Sequence, residues 1–581
     1  MLTSAEPENF QSQSPSLAFL SERPKMQLVR LIFWLTVVVA GFLQAWAARF
    51  YISPDGNSYL DVATAYLKGD WQAAINAYWS PMFSWLLASC LWLLRINSYW
   101  ESTLEHLVNW FGLIAAALCF EFFFRGFLQS RQDPPSAAQK DADLSQVEWW
   151  MLGYGIFLST SLLVVSLVLT TPDIWVCALT YLAAGLVLRI YLSRGNWFYF
   201  GALGLVLGCA YLTKSFYFPL SFVFLGVAWL ATGNLRKNSP QAILALVVFM
   251  AVAGPFVLAL SLAKHRFTFG DTGKLAYVMM VGDVAQPQFW HGESGTGAPV
   301  HPTRQILDMP RIYEFGAPVS GSYPPYYDLS YWMEGAKAQF HLKGQLRILR
   351  QSAGTFFLIL MSQVEVFVAL LVVVFLARKP GDLLFSLARD WFLWLPAALG
   401  CLAYTLVLVE PRYVAPFLPL LWLAAFSSAF KSLSEKSPRI GMAIILAILS
   451  VTGVKLAKSI SSDAIALASH EVNSNWEVAR GLRDLGIAPG DKVAGLSRVA
   501  EAHWARLAGV TIVAEVPLGQ ENIFWTSGHE LQSLVFDKLA STGAKAVVTK
   551  DPPSGLTDGW VQLHGTVYYA HLLRAGPPAL K

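Results

Sequence analysis

The sequence predicts a polytopic α-helical membrane protein of about 11 transmembrane helices, with juxtamembrane helices and a small C-terminal α/β domain. Three observations predict it. Of 581 residues, 55% are hydrophobic and only 14% are charged, against about 25% charged in soluble domains. Apolar runs of about 18 residues or more, long enough to cross a bilayer, recur along the chain. From about residue 471 the pattern changes to short segments that alternate between helix and strand character. The formal net charge of +4 gives no sign of a nucleic-acid partner.

Residues 1–26 are polar and rich in Ser, Pro and Glu, and read as a disordered cytoplasmic tail. They lack the charged start, apolar core and small-residue cleavage site of a signal peptide, so the first span is expected to be kept. Residues 27–460 form the transmembrane domain, with an outer loop at 49–103 and a long one at 263–350. Spans are expected at about 28–48, 104–124, 148–170, 173–192, 197–213, 216–231, 240–262, 352–377, 391–409, 412–430 and 440–456. One more run, about 81–94, is too short for a crossing and fits an interfacial helix. The five cysteines all fall in apolar segments without a CxxC pair, and read as small buried hydrophobes.

The charges between spans set the orientation. With a cytoplasmic N-terminus and no crossing at 81–94, the basic groups all fall inside. They are Lys25 and Arg30; Arg125, Arg131 and Lys140; Arg189 and Arg194; Arg236 and Lys237; Arg378 and Lys379; Lys431, Lys436 and Arg439. Counting 81–94 as a crossing would flip every later group outside. The same topology makes the C-terminal domain, residues 471–581, extracytoplasmic. In that domain helices are expected near 475–485, 503–507 and 531–542, and strands near 492–495, 510–516, 544–549, 560–563 and 566–571. No GxGxxG or GxxxxGK[ST] motif supports a nucleotide site there.

Isolated charges of both signs collect at the outer turns. Ser53-Pro54-Asp55-Gly56 stands just beyond the first span, Thr171-Pro172-Asp173 between the third and fourth, Lys214 between the fifth and sixth, and Glu410-Pro411-Arg412-Tyr413 between the ninth and tenth. A charge held near lipid is costly and marks a functional position. An enzyme on this face would draw on a polyprenyl-phosphate sugar delivered by the membrane. It would need a carboxylate for the acceptor and cations for the phosphate. Asp55 suits the first role, and Lys214 and Arg412 suit the second. Asp173 could orient the acceptor or join Asp55 on a divalent cation, the one cofactor in question.

Plainer readings stand beside these. Asp55 could merely form a turn, Asp173 cap the next span, Lys214 snorkel, and Arg412 pair with Glu410. His265, His291, His301 and His341 have no metal-ligand spacing and read as surface or packing residues. The long loop, with Tyr323-Pro324-Pro325-Tyr326-Tyr327-Asp328, is expected to be a lid or a partly helical cap.

Four places resemble the GT-C class of membrane glycosyltransferases. They are Asp55-Gly56 with Tyr59, Ala63 and Tyr78-Trp79-Ser80-Pro81; Thr171-Pro172-Asp173; Gly208-Cys209-Ala210-Tyr211-Leu212-Thr213-Lys214; and Arg412-Tyr413 with Pro416 and Pro419. They are most similar to the branch of aminoarabinose transferases, protein O-mannosyltransferases and lipopolysaccharide-core galacturonic acid transferases. The resemblance spans roughly residues 28–430. It implies a polyprenyl-phosphate-linked donor, an inverting transfer to a cell-envelope acceptor, and residence in the inner membrane. It also implies Asp55 as a catalytic residue; beside it the residues themselves suggest Asp173 as a second catalytic acid, Lys214 and Arg412 on the donor phosphate, and Tyr59, Tyr78, Trp79 and Tyr413 against substrate. Two departures stand out. Gly56 holds the place where members often carry a second acid, and Ser80 the place of a lysine in the aminoarabinose branch. Two other classes compete: a transporter or flippase, for which Glu121 and Glu365 lie within or near spans, and a non-catalytic assembly protein using its C-terminal domain.

Overall fold

The first apolar run folds as helix α1 (Leu17–Leu35), a π-helical turn and α2 (Gly41–Ala47). The structure, a computed structural model, describes residues 17–131, 144–285, 289–315, 318–376, 380–432, 438–469, 472–497, 499–553 and 559–573. The tail before residue 17 and the basic residues Lys140, Arg378, Lys379 and Lys436 lie outside the described residues. Residues 17–26, expected in the tail, are helical instead. Extending a helix that already exists costs less than nucleating one.

Three short helices follow on one face: α3 (Pro54–Lys68), α4 (Trp71–Ala74) and α5 (Pro81–Leu94). Ser53 caps α3 by accepting from the Gly56 amide at 3.2 Å, Pro54 opens its first turn, and Gly69 ends it at φ 69°. The 14 residues of α5 span about 21 Å, short of a crossing. Its Ser84 Oγ donates to the Tyr59 carbonyl of α3 at 2.9 Å.

The bundle continues with α6 (Glu101–Arg131), α7 (Gln146–Leu158), α8 (Asp173–Ser193), α9 (Trp197–Thr213), α10 (Tyr217–Ala231) and α11 (Leu235–Ala263). The long loop holds α12 (Thr272–Met280), strands β1 (Arg304–Asp308) and β2 (Arg311–Glu314), and α13 (Pro324–Tyr327) and α14 (Leu329–Trp332). Then come α15 (Leu342–Ser362), α16 (Val364–Leu376), α17 (Pro380–Arg389), α18 (Trp391–Thr405), α19 (Pro411–Val414), α20 (Leu418–Lys431) and α21 (Pro438–Ala468).

Every expected span is helical, but their lengths differ from the expectation. Six described spans are long and apolar enough to cross a membrane, or seven if the bent pair α15–α16 counts as one. The other four, α9, α10, α18 and α20, are shorter apolar helices. The single span expected at 352–377 is bent by 87° at Gln363. That buried amide donates to Ser159 Oγ and Thr160 Oγ1 at 3.2 and 3.0 Å and accepts from Trp422 Nε1 at 3.0 Å. Polar partners from two other helices thus hold the break.

The C-terminal segment adds α22 (Ser474–Asp484), β3 (Lys492–Leu496), α23 (His503–Ala508), β4 (Thr511–Val516), α24 (Glu521–Thr526), α25 (His529–Ser541), β5 (Ala546–Lys550), β6 (Trp560–Gln562) and β7 (Tyr568–Leu572). Of these, α24 was not expected. The sheet has seven strands in the order β1-β2-β4-β3-β5-β7-β6, with β3 parallel to β4 and β5. Two strands come from the long loop, so a domain confined to 471–581 is incomplete. Tyr313 pairs with Glu515 and Glu314 with Ala514 across β2 and β4. Tyr323 OH then donates to Glu515 Oε2 at 2.8 Å. The loop is therefore structural, as part of the sheet, before it is anything else.

A buried polar contact docks this domain on α3. Arg506 Nη1 donates to Asp61 Oδ1 at 2.7 Å, its Nε to Glu101 Oε2 at 2.8 Å and its Nη2 to Thr64 Oγ1 at 2.9 Å. One turn away His503 Nδ1 lies 3.2 Å from Asn57 Oδ1. Burial and the Arg506 charge lower the His503 pKa to about 3. Between that value and the ordinary 6.5, the folded imidazole is neutral while the unfolded one binds a proton. Stability is therefore expected to fall as pH drops below 6.5, by up to about 1.4 kcal/mol per pH unit. Urea unfolding from pH 7 to pH 4 measures this slope, and His503→Gln flattens it. An unchanged slope in that variant refutes the assignment.

Candidate functional site

Asp55 occupies the first turn of α3, where helix-end amides favour a carboxylate. Its Oδ1 accepts from Tyr326 OH and its Oδ2 from Arg412 Nη2, each at 3.1 Å. Asp173 opens α8, and its carboxylate is 2% exposed. Its Oδ1 accepts from Lys214 Nζ at 2.6 Å and its Oδ2 from Thr171 Oγ1 at 2.8 Å. Arg412 Nη1 is 3.6 Å from Asp173 Oδ2, so one guanidinium spans both acids. Lys214 Nζ also lies 3.7 Å from the Tyr413 ring, which stacks on Tyr404. Burial pulls the Lys214 ammonium below its ordinary range, and the Asp173 charge opposes the shift.

These groups line one cavity of about 440 Å³ at the sheet-bearing face. The structure brings together all eight residues singled out: Asp55, Asp173, Lys214, Arg412, Tyr59, Tyr78, Trp79 and Tyr413. Three plainer readings fail on geometry. Asp173 does more than cap α8, Lys214 does not snorkel free, and Arg412 pairs with the two aspartates. Glu410 lines the same cavity but makes no ion pair with Arg412 among the described residues. The histidines keep local roles: His301 stacks on Tyr331 at 3.9 Å, and His341 Nδ1 caps α15 by accepting from the Gly344 amide.

Tyr326 was missed as a site residue, although its aromatic stretch was noted. Its carbonyl accepts from Ser58 Oγ at 3.3 Å and Trp79 Nε1 at 3.2 Å, which straps the loop over α3. Burial first, then the Asp55 charge, pushes its phenol up, so it stays protonated and donates to Asp55. The same two causes raise Tyr78.

Gly56 has a steric reason. A Cβ there would overlap Thr170 Oγ1 and come within 2.9 Å of Glu105 Oε2. A second acid at 56 does not fit this backbone. Instead α6 brings Glu105 to the same spot, buried and with neither oxygen hydrogen-bonded among the described residues.

Among the described residues no three His, Cys, Asp or Glu side chains group as metal ligands. Asp55 and Asp173 already hold Arg412 and Lys214 at 2.6–3.6 Å.

No protein-family model matches the chain, and no curated protein matches it. By structure it is similar to ArnT from Cupriavidus metallidurans in the apo state, with TM-score 0.50, 14% identity, and coverage of 97% of this chain and 100% of that one. The same protein bound to undecaprenyl phosphate matches at TM-score 0.50 and 12% identity, covering 94% of this chain and 98% of that one. The apo oligosaccharyltransferase of Archaeoglobus fulgidus gives 0.49 and 12%, covering 91% and 70%. The ArnT likeness shows the fold: a bundle of many apolar helices with a small sheet-containing C-terminal region, the arrangement that the resemblance of the sequence implied.

Proposed function

We propose that this chain is a glycosyltransferase that moves a sugar from a polyprenyl-phosphate donor to a cell-envelope lipid, glycan or protein on the extracytoplasmic face. One observation carries the reading: Asp55, Arg412 and Lys214, each at a helix end, share a single cavity on the sheet-bearing side of the bundle. The undecaprenyl phosphate bound by the similar ArnT supports the donor class. The basic residues Arg125, Arg131, Arg189, Arg194 and Lys431, at the opposite ends of α6, α8 and α20, support a cytoplasmic N-terminus.

The acceptor nucleophile attacks the anomeric carbon as the bond from that carbon to the phosphate oxygen breaks. Asp55 takes the acceptor's proton, and polyprenyl phosphate leaves with the bonding electron pair. Arg412 and Lys214 stabilise the charge that grows on it. A single general base and a single displacement invert the anomeric centre. Before the donor arrives, Arg412 holds Asp55 at 3.1 Å. A donor phosphate competes for that guanidinium and frees the carboxylate to act as a base. Tyr59, Tyr78, Trp79 and Tyr413 supply the walls.

A transport role gains nothing from Glu121 and Glu365. Glu121 accepts from Arg30, Trp34, Arg125 and Tyr154, and Glu365 from Lys455 and Thr452. Both are structural pairs. Reconstitution with polyprenyl-phosphate sugars and extracted envelope acceptors is the test. Covalent transfer with release of polyprenyl phosphate is expected. Donor that crosses the bilayer uncleaved would overturn the proposal. Mass spectrometry of envelope glycans made with and without the chain names sugar and acceptor together.

A further inference from the structure

Helix α15 meets α16 at the 87° bend, and its first half does not run alongside a span. Gln345 Nε2 donates to the Leu406 carbonyl at 2.9 Å, and Ser352 Oγ to the Thr405 carbonyl at 3.0 Å. Along α15 these two donors are about 10 Å apart. Their acceptors are neighbours at the C-terminal end of α18, where carbonyls lack helical partners. Thus α15 crosses the end of α18 instead of packing along it. Arg347 Nη2 holds a second piece of the same rim, the Met280 carbonyl, at 2.8 Å. Met280 and Leu408 line the Asp55 cavity, so α15 lies beside that cavity on the sheet-bearing side.

The outward face of α15 mixes apolar and basic side chains. At 3.6 residues per turn, Leu342, Lys343, Leu346, Arg350 and Phe357 fall within about 100° of arc. All five are exposed, the three apolar ones by 57–60%. Gly344, Ile348, Ser352 and Ile359 occupy the opposite face and are buried. Among the described residues the only acid paired with the three cations Lys343, Arg347 and Arg350 is Asp283, whose Oδ2 is 3.0 Å from Arg347 Nη1 and whose side chain is 76% exposed. Water would solvate such cations but not Leu342, Leu346 and Phe357 between them. The membrane interface suits both: hydrocarbon takes the apolar groups, and anionic headgroups take the basic ones. Three cations spread over about 10 Å of open helix fit a layer of headgroups better than one enclosed ligand.

We propose that α15 lies in the membrane interface and docks anionic phospholipid headgroups through Lys343, Arg347 and Arg350, with Leu342, Leu346 and Phe357 against the acyl chains. The bend at Gln363 is then where the chain turns from the interface into the bundle, and α16 carries the apolar run inward. This docking does not depend on the transfer chemistry at Asp55.

The test uses the full chain in nanodiscs of phosphatidylglycerol and phosphatidylcholine. A fluorescent unnatural amino acid replaces Leu346 or Phe357, and lipids carrying a nitroxide at a shallow or a deep position quench it. Both labels are expected at similar, shallow depth. A spanning α15 would set them about 16 Å apart in depth and overturn the proposal. Nitroxide on phosphatidylglycerol is expected to quench position 346 more than the same nitroxide on phosphatidylcholine. Lys343→Gln and Arg350→Gln are each expected to lower that local enrichment about fivefold, the effect of one basic charge near a lipid surface. Arg350→Lys keeps most of it. Both side chains are exposed, so these variants fold whether or not lipid binds. Equal quenching by the two lipids, or no loss in either glutamine variant, overturns the proposal. So does loss of the enrichment in millimolar inorganic phosphate, which would make the ligand a soluble anion.

Discussion

Asp55→Asn is expected to lower transfer by about a thousandfold or more, within the range for loss of a positioned general base. Asparagine keeps the shape of the side chain, and its Oδ1 can still accept from Tyr326, now at 3.1 Å from Asp55. It has no charge and cannot hold the acceptor's proton. The fold should survive, because Arg412 keeps Asp173 as a partner at 3.6 Å and is partly open to water. Donor binding should be retained or tightened, since Arg412 no longer has Asp55 to compete with the phosphate. The expected signature is a collapse of kcat with KM for the donor unchanged or lower. Arg412→Gln is its mirror image, with donor KM raised as well as kcat lowered. Steady-state transfer assays on purified variants, with thermal melts as the control for folding, separate the two. Full activity in Asp55→Asn would remove the residue from the mechanism.

The charged part of this cavity was legible because charges near lipid are rare and their sidedness can be read. Asp55, Asp173, Lys214 and Arg412 are far apart in sequence, yet each ends a helix at the same face. The loop contribution was not legible. Tyr326 reaches Asp55 only because Ser58 and Trp79 hold its carbonyl, and such contacts leave no periodic trace. The strands β1 and β2 were hidden for a related reason. They are short, and although β1 pairs with β2 as a local hairpin, the strand that joins them to the sheet, β4, lies about 200 residues later. Within the C-terminal domain the alternation of helix and strand was readable, since the central strands β3, β4 and β5 are short, almost wholly buried apolar runs set between amphipathic helices. The bend at Gln363 is hard to read because Ser362, Gln363 and Glu365 are only a brief polar interruption between two apolar runs. One amide sufficed, because Ser159, Thr160 and Trp422 meet it from other helices. Glu105 was equally silent: it sits near the start of a span, and only the backbone of Gly56 beside it explains the space it fills.

Arg506→Met is expected to loosen the C-terminal domain from α3 by about 3–5 kcal/mol, the cost of breaking a buried ion pair from one side. The substitution leaves Asp61 and Glu101 charged where their side chains are 7% and 15% exposed. Asp61 would keep only the Ser322 amide at 2.7 Å and Ser322 Oγ at 3.1 Å. Limited proteolysis should then cleave between α21 and α22 under conditions where wild type resists. Transfer should fall as well, because Ser322 and Tyr326 belong to one short strap and Tyr326 orients Asp55. A purely accessory domain would lose stability without losing transfer, so the two readouts distinguish a docking role from a role in shaping the cavity. The triple change Arg506→Met, Asp61→Leu, Glu101→Leu supplies the decisive comparison. Replacing a whole buried ionic cluster by apolar groups is often neutral, whereas removing one member is not. The triple variant should therefore resist proteolysis better than Arg506→Met alone. If it is worse, the cluster contributes net stability and the assumption of uncompensated acids is wrong.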